Sequence, residues 1–430
     1  MKLAWLCILA FLNFSNEVSG ADPLQSYNVD KSTITVSGLS AGGAMAMQYH
    51  VAFSSEIQGA AIYAGLPFAC AKGGLTYANL CMYSPGTVIV ANLAKEINDL
   101  ASANKIDSVS NLNGNKVFVF HGTKDTTVNP TAGHKLEQLY QDFGAVTENE
   151  YTIGAVHGFP TDFYGAACGS SSGSTHYINN CNYHGANIGL NYLLGGSLAP
   201  PASSATGQLS EYDQREFGGN AVSSMDPIGF IYVPTGCQDR SRQCQLHIAF
   251  HGCQQSKTNL DDIYATKTGF LEVAEANNII VLFPQAAPNI LAGNPNACWD
   301  WWGYLNANFL NKDGAQMKAV HSMMLRVSTC EASTGCNPVV TEPPTTQSTI
   351  GTIGTSPSQN PITTPPGVTS TGAPGECQDN DVSFRPFPGD CRYYTLCACG
   401  ANVLLECAAG LYFDPTIGKC NFMQLVPGCQ

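Results

Sequence analysis

One short glycine-rich segment carries the residue best suited to act as a nucleophile. Gly38-Leu39-Ser40-Ala41-Gly42 has the form G-x-S-x-G, in which the serine lies in a strained turn that only flanking glycines leave room for. A β-branched run precedes this segment and a small-residue stretch follows it. The order predicts a strand, a sharp turn and a helix, with the hydroxyl of Ser40 at the carboxyl edge of a sheet. The amide of Ala41, at the start of that helix, could then stabilise an oxyanion.

A serine nucleophile needs an acid and a base, which follow it along this kind of chain in the order Asp, His. Asp125 lies in a polar loop directly after an apolar run at 116–120, and we predict that it is the acid. His157 lies in a loop of small residues at 154–158, and we predict that it is the base. The rival carboxylates and histidines lie in less suitable contexts or have a structural role as the default: Asp142, Asp162, His121, His134, His176 and His184.

The second oxyanion donor is missing from its usual place. It normally lies on a strand and loop before the nucleophile, but only about a dozen residues lie between the cleavage point predicted after Gly20 and Ser32. The apolar run 246–250 ends in His251-Gly252-Cys253, which has the pattern of such a donor loop. The sequence therefore predicts a circularly permuted chain, in which the opening strands of the sheet come after the catalytic half.

Short β-branched runs alternate with Ala-rich or amphipathic stretches, as is typical of a parallel sheet covered by helices. We expect helices to follow Ser40, Thr131 and Leu260. The predicted strands are 32–36, 59–63, 116–120, 230–233, 246–250 and 279–283.

Composition divides the chain into four segments. Residues 1–20 contain a lone lysine, an apolar run and small residues before a cleavage point, which predicts a secretory signal peptide. Residues 337–375 are rich in Thr, Ser, Pro and Gly and predict an extended linker. The linker separates a body at 21–336 from a tail at 376–430. The 18 cysteines of the chain indicate an oxidising compartment, so we expect a secreted, extracellular protein.

Charge and hydropathy argue against several partners. The net charge is −13 and only 12% of the residues are charged, whereas nucleic-acid binding requires clustered Lys and Arg. No apolar run reaches the roughly 18 residues that a membrane helix needs. We therefore expect neither a nucleic-acid nor a membrane partner. The expected chemistry uses no cofactor and no metal.

With these motifs together, the body resembles the extracellular poly(3-hydroxybutyrate) depolymerases that have a circularly permuted catalytic domain. The resemblance covers residues 25–335 and implies an α/β-hydrolase fold with the triad Ser40, Asp125 and His157. It also implies that the amides of Ala41 and Cys253 form the oxyanion hole and that Cys253 is bridged to Cys298. The motifs that carry the resemblance are Gly38-Leu39-Ser40-Ala41-Gly42-Gly43, His121-Gly122-Thr123-Lys124-Asp125, Val156-His157-Gly158, His251-Gly252-Cys253 and Cys298-Trp299-Asp300-Trp301-Trp302.

Aromatic and cysteine residues of the body suggest further roles. Trp299, Trp301 and Trp302 could form part of the core or line a groove for an apolar polyester, and we predict that they bind substrate. The remaining cysteines fall into near pairs that each close a short loop. These predicted disulfides are Cys70–Cys81, Cys168–Cys181, Cys237–Cys244 and Cys330–Cys336.

The tail carries a framework of closely spaced cysteines with aromatic residues between them. A module this small needs disulfides because its core is too small to stabilise it alone. A zinc module is disfavoured because paired C-x2-C knuckles are missing. The spacing resembles the peritrophin-A type chitin-binding domain, a small disulfide-rich β module. That resemblance implies that chitin is a partner, contacted by exposed aromatics, for which we choose Tyr393, Tyr394, Tyr412 and Phe413. The implied pairing is Cys377–Cys397, Cys391–Cys429 and Cys407–Cys420, with Cys399 outside the scheme.

Together the two resemblances predict a secreted serine esterase anchored to chitin by its tail. Its expected substrate is an aliphatic polyester such as poly(3-hydroxybutyrate), or oligomers of it, hydrolysed through an acyl-enzyme. Two alternatives remain open. One is a carboxylesterase that acts on ester or acetyl groups in a chitin-rich matrix, and the other is a catalytically inert chitin-matrix protein.

Overall fold

The computed structural model describes residues 21–170 and 176–330 and parts of the tail: 383–386, 390–398, 401–407, 411–414, 419–422 and 426. The predicted signal peptide and the predicted linker lie outside these ranges. The chain divides into two compact units, one spanning Ser19–Val339 and the other containing Val340–Gln430. The first unit contains the body and the second contains the tail.

The body is a layered arrangement of strands and helices. Its strands are β1 (Thr35–Leu39), β2 (Gly59–Tyr63), β3 (Lys116–Phe120), β4 (Val146–Glu150), β5 (Phe159–Thr161), β6 (Ala166–Ala167), β7 (Ile178–Asn180), β8 (Gln208–Asp213), β9 (Ile228–Val233), β10 (Gln245–Phe250) and β11 (Ile279–Phe283). Its helices are α1 (Ala41–Ala52), α2 (Leu75–Tyr83), α3 (Val90–Ser102), α4 (Thr131–Asp142), α5 (Gly185–Leu193), α6 (Lys257–Leu260), α7 (Ile263–Lys267), α8 (Phe270–Asn277) and α9 (Ala315–Ser328).

The main sheet has eight strands in the order β4-β3-β2-β1-β10-β11-β9-β8. The neighbours from β4 to β11 are parallel, whereas β9 pairs antiparallel with both β11 and β8. The chain enters this sheet at its centre: Val36 of β1 lies opposite Ala60 of β2 on one side and Ile248 of β10 on the other. The four strands on the β10 side of β1, namely β10, β11, β9 and β8, all come later in the chain than β1 to β4. The fold is therefore the circularly permuted α/β-hydrolase arrangement that His251-Gly252-Cys253 predicted.

Most of the predicted strands coincide with observed ones, but the first is displaced. Thr35–Leu39 forms β1, whereas Lys31–Thr33 is a short 3₁₀ turn. The turn begins at Asp30, whose carboxylate accepts a hydrogen bond from the amide of Ser32 at 3.0 Å. This side-chain cap competes with the extended conformation that the β-branched residues favour.

The helix predicted after Leu260 is also different. The segment forms two short helices, α7 and α8, instead of one. Gly269 separates them with a φ of 84°, a left-handed conformation that favours glycine. α8 ends at Asn277, and the next residue, Asn278, is also left-handed and leads directly into β11.

The described strands of the tail form an antiparallel sheet and a separate hairpin. β12 (Ser383–Pro386), β13 (Tyr393–Ala398) and β14 (Ala401–Glu406) pair in that order, and β15 (Leu411–Asp414) pairs with β16 (Lys419–Phe422). Tyr394, Cys407 and Phe413 form a small buried cluster. These elements fit the small β module that the sequence predicts.

Candidate active site

Ser40 lies in a sharp turn between β1 and α1. Its φ of 56° and ψ of −119° place a non-glycine residue in a strained conformation. The amide of Ser40 donates to the carbonyl of Tyr63 on the neighbouring strand at 2.9 Å, which anchors the turn to the sheet. Ser40 is half-buried, and α1 behind it is buried along its whole length.

The two flanking glycines are required by close backbone contacts. A Cβ on Gly38 would lie 2.1 Å from the carbonyl oxygen of Gly42. A Cβ on Gly42 would lie 2.3 Å from the carbonyl oxygen of Phe250, at the end of β10. No side chain fits at either position, so the G-x-S-x-G spacing follows from the path of the chain.

Asp125 and His157 are hydrogen-bonded to each other. Nδ1 of His157 lies 2.7 Å from Oδ2 of Asp125. The other carboxylate oxygen of Asp125 accepts from the amides of Thr127 and Val128, each at 2.9 Å. Both Asp125 and Ser40 follow parallel strands of the main sheet, and the carboxyl ends of such strands meet at one edge. The structure therefore brings Asp125 and His157, the predicted acid and base, together at the sheet edge that carries Ser40.

A second histidine contacts the same carboxylate. Nε2 of the fully buried His121 lies 2.8 Å from the carbonyl of Val128 and 3.3 Å from Oδ2 of Asp125. Burial by itself would raise the pKa of Asp125, but the hydrogen bonds from His121 and His157 outweigh it and hold the pKa well below its usual range. Asp125 is therefore an anion at neutral pH. Sequence reasoning treated His121 only as a rival base, although it precedes Asp125 by four residues in the same motif.

The loop of His157 is held by its neighbours. The amide of Val156 donates to the carbonyl of Cys168 at 3.0 Å, and the side-chain amide of Asn179 donates to the carbonyl of Val156 at 3.0 Å. The disulfide Cys168–Cys181 closes this region. The position of the imidazole is therefore set by the sheet of β5, β6 and β7.

The other three rival histidines make different contacts. His134 packs on the ring of Tyr151 at 4.1 Å, and His184 accepts a hydrogen bond from the amide of Asn187 at the start of α5. The carbonyl of His176 accepts from Gln255 at 2.6 Å.

The loop after β10 lies directly against the serine turn. A Cβ on Gly42 would lie 2.4 Å from the carbonyl oxygen of His251, and one on Gly252 would lie 3.3 Å from the carbonyl oxygen of Leu39. Cys253 is bridged to Cys298, which ties this loop to the Trp-rich segment. The first amides of α1, including that of Ala41, have no partner within the helix. The predicted oxyanion donors therefore lie on two adjacent segments.

The three tryptophans have different environments. Trp299 has no exposed surface and packs on the rings of Phe250 at 5.1 Å and His251 at 5.5 Å. It is a core residue, which does not fit the predicted substrate contact. Trp301 is 6% exposed and belongs to a buried cluster that includes Ala41. Trp302 is half-buried at the border of that cluster, so part of its side chain stays exposed.

The tail aromatics divide in the same way. Tyr394 and Phe413 stack on each other with ring centroids 4.7 Å apart and are buried. They form the core of the module and do not fit the predicted chitin contact. Tyr393 and Tyr412 are half-buried. Because neighbouring residues of a strand point to opposite faces, these two lie on the faces away from that core.

Disulfides connect three of the four predicted near pairs of the body, and the predicted pair Cys253–Cys298 is also bridged. Cys330, Cys391 and Cys407 are also disulfide-bonded. The structure contains Cys70–Cys81, Cys168–Cys181, Cys237–Cys244 and Cys253–Cys298. The other predicted pairs each include a side chain outside the described part of the chain: Cys330–Cys336, Cys377–Cys397, Cys391–Cys429 and Cys407–Cys420. Cys399 also lies outside it.

Neither a metal cluster nor a membrane span occurs in the part of the chain that the structure describes. No group of three or more His, Cys, Asp or Glu side chains there could hold a metal ion. No helix within the same ranges is long and apolar enough to cross a bilayer.

The fold, the serine turn and the Asp–His pair define a serine hydrolase of the α/β-hydrolase class. Comparison with known proteins narrows this class. The chain is 37% identical over 336 residues to a polyhydroxybutyrate depolymerase of Talaromyces funiculosus, covering 74% of this chain and 95% of that protein. It is 38% identical over 346 residues to a poly(3-hydroxybutyrate) depolymerase of Delftia acidovorans, covering 79% of this chain and 68% of that protein. The chain belongs to the poly(3-hydroxybutyrate) depolymerase family.

Solved structures agree with this assignment. A PHB depolymerase with a serine-to-alanine substitution, in complex with an R3HB trimer, matches with a TM-score of 0.65 and 33% identity. The PHB depolymerase of Penicillium funiculosum matches with a TM-score of 0.63 and 34% identity. Each match covers 71% of this chain and 99% of the other. Residues 377–429 match the chitin-binding peritrophin-A domain.

Proposed function

We propose that this protein is a secreted esterase that hydrolyses poly(3-hydroxybutyrate) or its oligomers, with Ser40, Asp125 and His157 as its catalytic residues. The observation that carries the proposal is the 2.7 Å contact between His157 and Asp125 at the sheet edge that presents Ser40. Relatives that align over most of the body are depolymerases of this polyester. The reaction is therefore transfer of an acyl group to Ser40 and then to water.

The hydrogen bond between Asp125 and His157 determines which nitrogen of His157 acts as the base. Nδ1–H of His157 donates to the Asp125 carboxylate, so Nε2 is the nitrogen that accepts the proton of the Ser40 hydroxyl. The serine oxygen attacks the ester carbonyl, and the imidazolium returns the proton to the leaving alcohol as the C–O bond breaks. Water then attacks the acyl-enzyme with the same base, which releases the acid and restores Ser40.

The developing oxyanion is stabilised by backbone amides. Those of Ala41 and Cys253 are the donors in this proposal, one at the start of α1 and one in the loop after β10. The dipole of α1 adds to the stabilisation at its N-terminus. Removal of one such donor typically costs about 10²–10³ in kcat.

An apolar surface beside the site suits an insoluble polyester. Leu75, Tyr77, Leu80 and Tyr83 of α2 are each at least two-fifths exposed. The inner face of the same helix contributes Ala78 and Cys81 to the buried cluster that Trp302 borders. A polymer of ester and methyl groups can cover this surface, whereas a free sugar acetate would leave it in water.

The tail supports attachment to chitin. Residues 377–429 match a chitin-binding domain, and Tyr393 and Tyr412 are our proposed contacts. We also propose that residues 1–20 direct the chain to an oxidising, extracellular compartment, where its disulfides are stable. The tail then concentrates the enzyme on chitin-containing material.

The chitin-binding tail favours one alternative, a carboxylesterase that removes ester or acetyl groups from a chitin-rich matrix. The two functions are separated by giving the purified protein a 3-hydroxybutyrate trimer or an O-acetylated chitin oligosaccharide. We expect release of 3-hydroxybutyrate monomer and dimer, with acetate release near background. Acetate release without trimer cleavage would favour the alternative. Failure of a fluorophosphonate probe to label Ser40 would instead favour an inert matrix protein.

A further inference from the structure

We propose that His251 and Gln255 are positioning residues that hold the Gly252–Cys253 peptide with its N–H directed at the oxyanion. The inference rests on the proposed function, in which the Cys253 amide is the second oxyanion donor. Both side chains are fully buried, so neither contacts the substrate. They act through the backbone between them.

The tautomer of His251 follows from its two partners. The amide of Ala286 donates to Nε2 of His251 at 3.1 Å, so Nε2 carries no hydrogen. Nδ1 therefore carries it and donates to the carbonyl oxygen of Gly252 at 2.7 Å. Burial lowers the pKa of His251 to about 4, against the opposing effect of the Gly252 carbonyl, so the ring stays neutral.

This bond controls the direction of the proposed donor. The carbonyl of Gly252 and the N–H of Cys253 belong to one planar peptide and point in opposite directions. The backbone N–H of Gln255 also donates to the Gly252 carbonyl, at 3.2 Å. With its oxygen held on the His251 side, the peptide cannot turn its N–H away from the serine turn.

Gln255 holds the other peptide of Gly252. Its Oε1 accepts from the amide of Gly252 at 2.8 Å, and its Nε2 donates to the carbonyl of His176 at 2.6 Å. The next residue, Tyr177, accepts from the amide of Phe159 at 2.8 Å, and its ring lies 6.1 Å from that of His157. The buried side-chain amide of Gln255 thus links the loop after β10, which carries Cys253, to the segment that packs beside His157.

Two substitutions of His251 test whether this side chain orients the Gly252–Cys253 peptide or only fills a buried position. The side-chain NH₂ of Asn can replace Nδ1–H at the Gly252 carbonyl, whereas Gln can replace Nε2 as the acceptor for Ala286. For His251→Gln we expect kcat on p-nitrophenyl butyrate to fall about tenfold to hundredfold, with KM unchanged. For His251→Asn we expect most of the kcat to be retained. Gln255→Met, which removes both amide contacts at similar volume, should resemble His251→Gln.

The second readout is binding of a trifluoromethyl ketone, which forms a charged adduct that requires the oxyanion hole. Its affinity should fall by the same factor as kcat in His251→Gln and Gln255→Met, while KM for the ester stays constant. His50→Asn is the matched control, because His50 is a buried histidine hydrogen-bonded to Tyr140 and Asn115, each at 3.1 Å. It should lower the melting temperature without changing kcat.

The outcomes distinguish this inference from the proposed function. Wild-type kcat in both His251→Gln and Gln255→Met, with Ser40→Ala inactive, would overturn the positioning role and leave the proposed function standing. An inactive wild type, or an active Ser40→Ala, would overturn both. If His251→Gln does not fold, Gln255→Met decides the question through the ratio of ketone affinity to KM.

Discussion

Oδ2 of Asp125 lies 2.7 Å from Nδ1 of His157 and 3.3 Å from Nε2 of His121, so two imidazoles share one carboxylate oxygen. The two contacts have different consequences. His157 keeps 8% of its side chain exposed, whereas His121 keeps none. Only His157 can therefore exchange a proton with a substrate and solvent, while His121 holds the carboxylate in place.

The first prediction is that Asp125→Asn lowers kcat on p-nitrophenyl butyrate by about 10⁴. The amide NH₂ of Asn would face Nδ1 of His157 and favour the wrong tautomer, with the hydrogen on Nε2. Asp142→Asn and Asp162→Asn, the rival carboxylates of the sequence, serve as controls and should keep the wild-type rate. A rate within tenfold of wild type in Asp125→Asn would show that Asp125 is not the acid.

The second prediction concerns stability in acid. The pKa of Asp125 lies well below its usual range in the folded protein, whereas an unfolded Asp takes up a proton near pH 4. Its stabilising contribution is therefore complete above that pH and declines as the pH falls. We expect the difference in unfolding free energy between wild type and Asp125→Asn, measured with urea, to shrink between pH 6 and pH 3. A constant difference over this range would contradict the assigned charge.

The third prediction compares two disulfides. Cys253–Cys298 closes a loop with a sequence separation of 45, and Cys237–Cys244 closes one with a separation of 7. From chain entropy, replacing both cysteines by serine should cost about 4 kcal/mol for the first pair and about 2.4 kcal/mol for the second. Only the first pair should also lower kcat, because only it holds the loop of the proposed oxyanion donor. Equal losses of kcat in the two double variants would show that the Cys253–Cys298 disulfide has no specific role in catalysis.

The fourth prediction concerns the tail. Tyr393→Ala should weaken binding to chitin beads while the module stays folded, because this side chain lies on the face away from the buried stack. Tyr394→Ala should abolish binding by unfolding the module, since Tyr394 stacks on Phe413. Pull-down with chitin and near-ultraviolet circular dichroism distinguish the two effects. Normal chitin binding by Tyr393→Ala would remove this residue from the proposed contact.

The central strands were predictable because they are buried on both faces. β2 and β11 are continuous apolar runs and β3 is apolar after Lys116, and the observed bounds of all three coincide with the predicted ones. The edge strands β4 and β8 were not predicted, because Val146–Glu150 and Gln208–Asp213 are largely polar and exposed. Their pairing depends on neighbours that are distant in sequence, which a local pattern does not contain.

In the candidate site, too, some features have a local sequence signature and others depend on packing between distant segments. The turn at Ser40 has a local signature because only glycine fits at positions 38 and 42. Burial of the tryptophans had no such signature: Trp299 and Trp302 lie in one short motif, but their exposure depends on packing against β10 and α1. The role proposed for Gln255 depends in part on its contact with the carbonyl of His176, 79 positions away, which a local sequence pattern does not contain.

The central claim is that Ser40 cleaves the ester bonds of poly(3-hydroxybutyrate). The most direct test is release of 3-hydroxybutyrate and its oligomers from a washed polymer film, followed by chromatography, for wild type and Ser40→Ala. We expect steady release by the wild type and a loss of several orders of magnitude in Ser40→Ala, although both adsorb to the film. Equal release by the two proteins, or none by a wild type that hydrolyses p-nitrophenyl butyrate, would contradict the account.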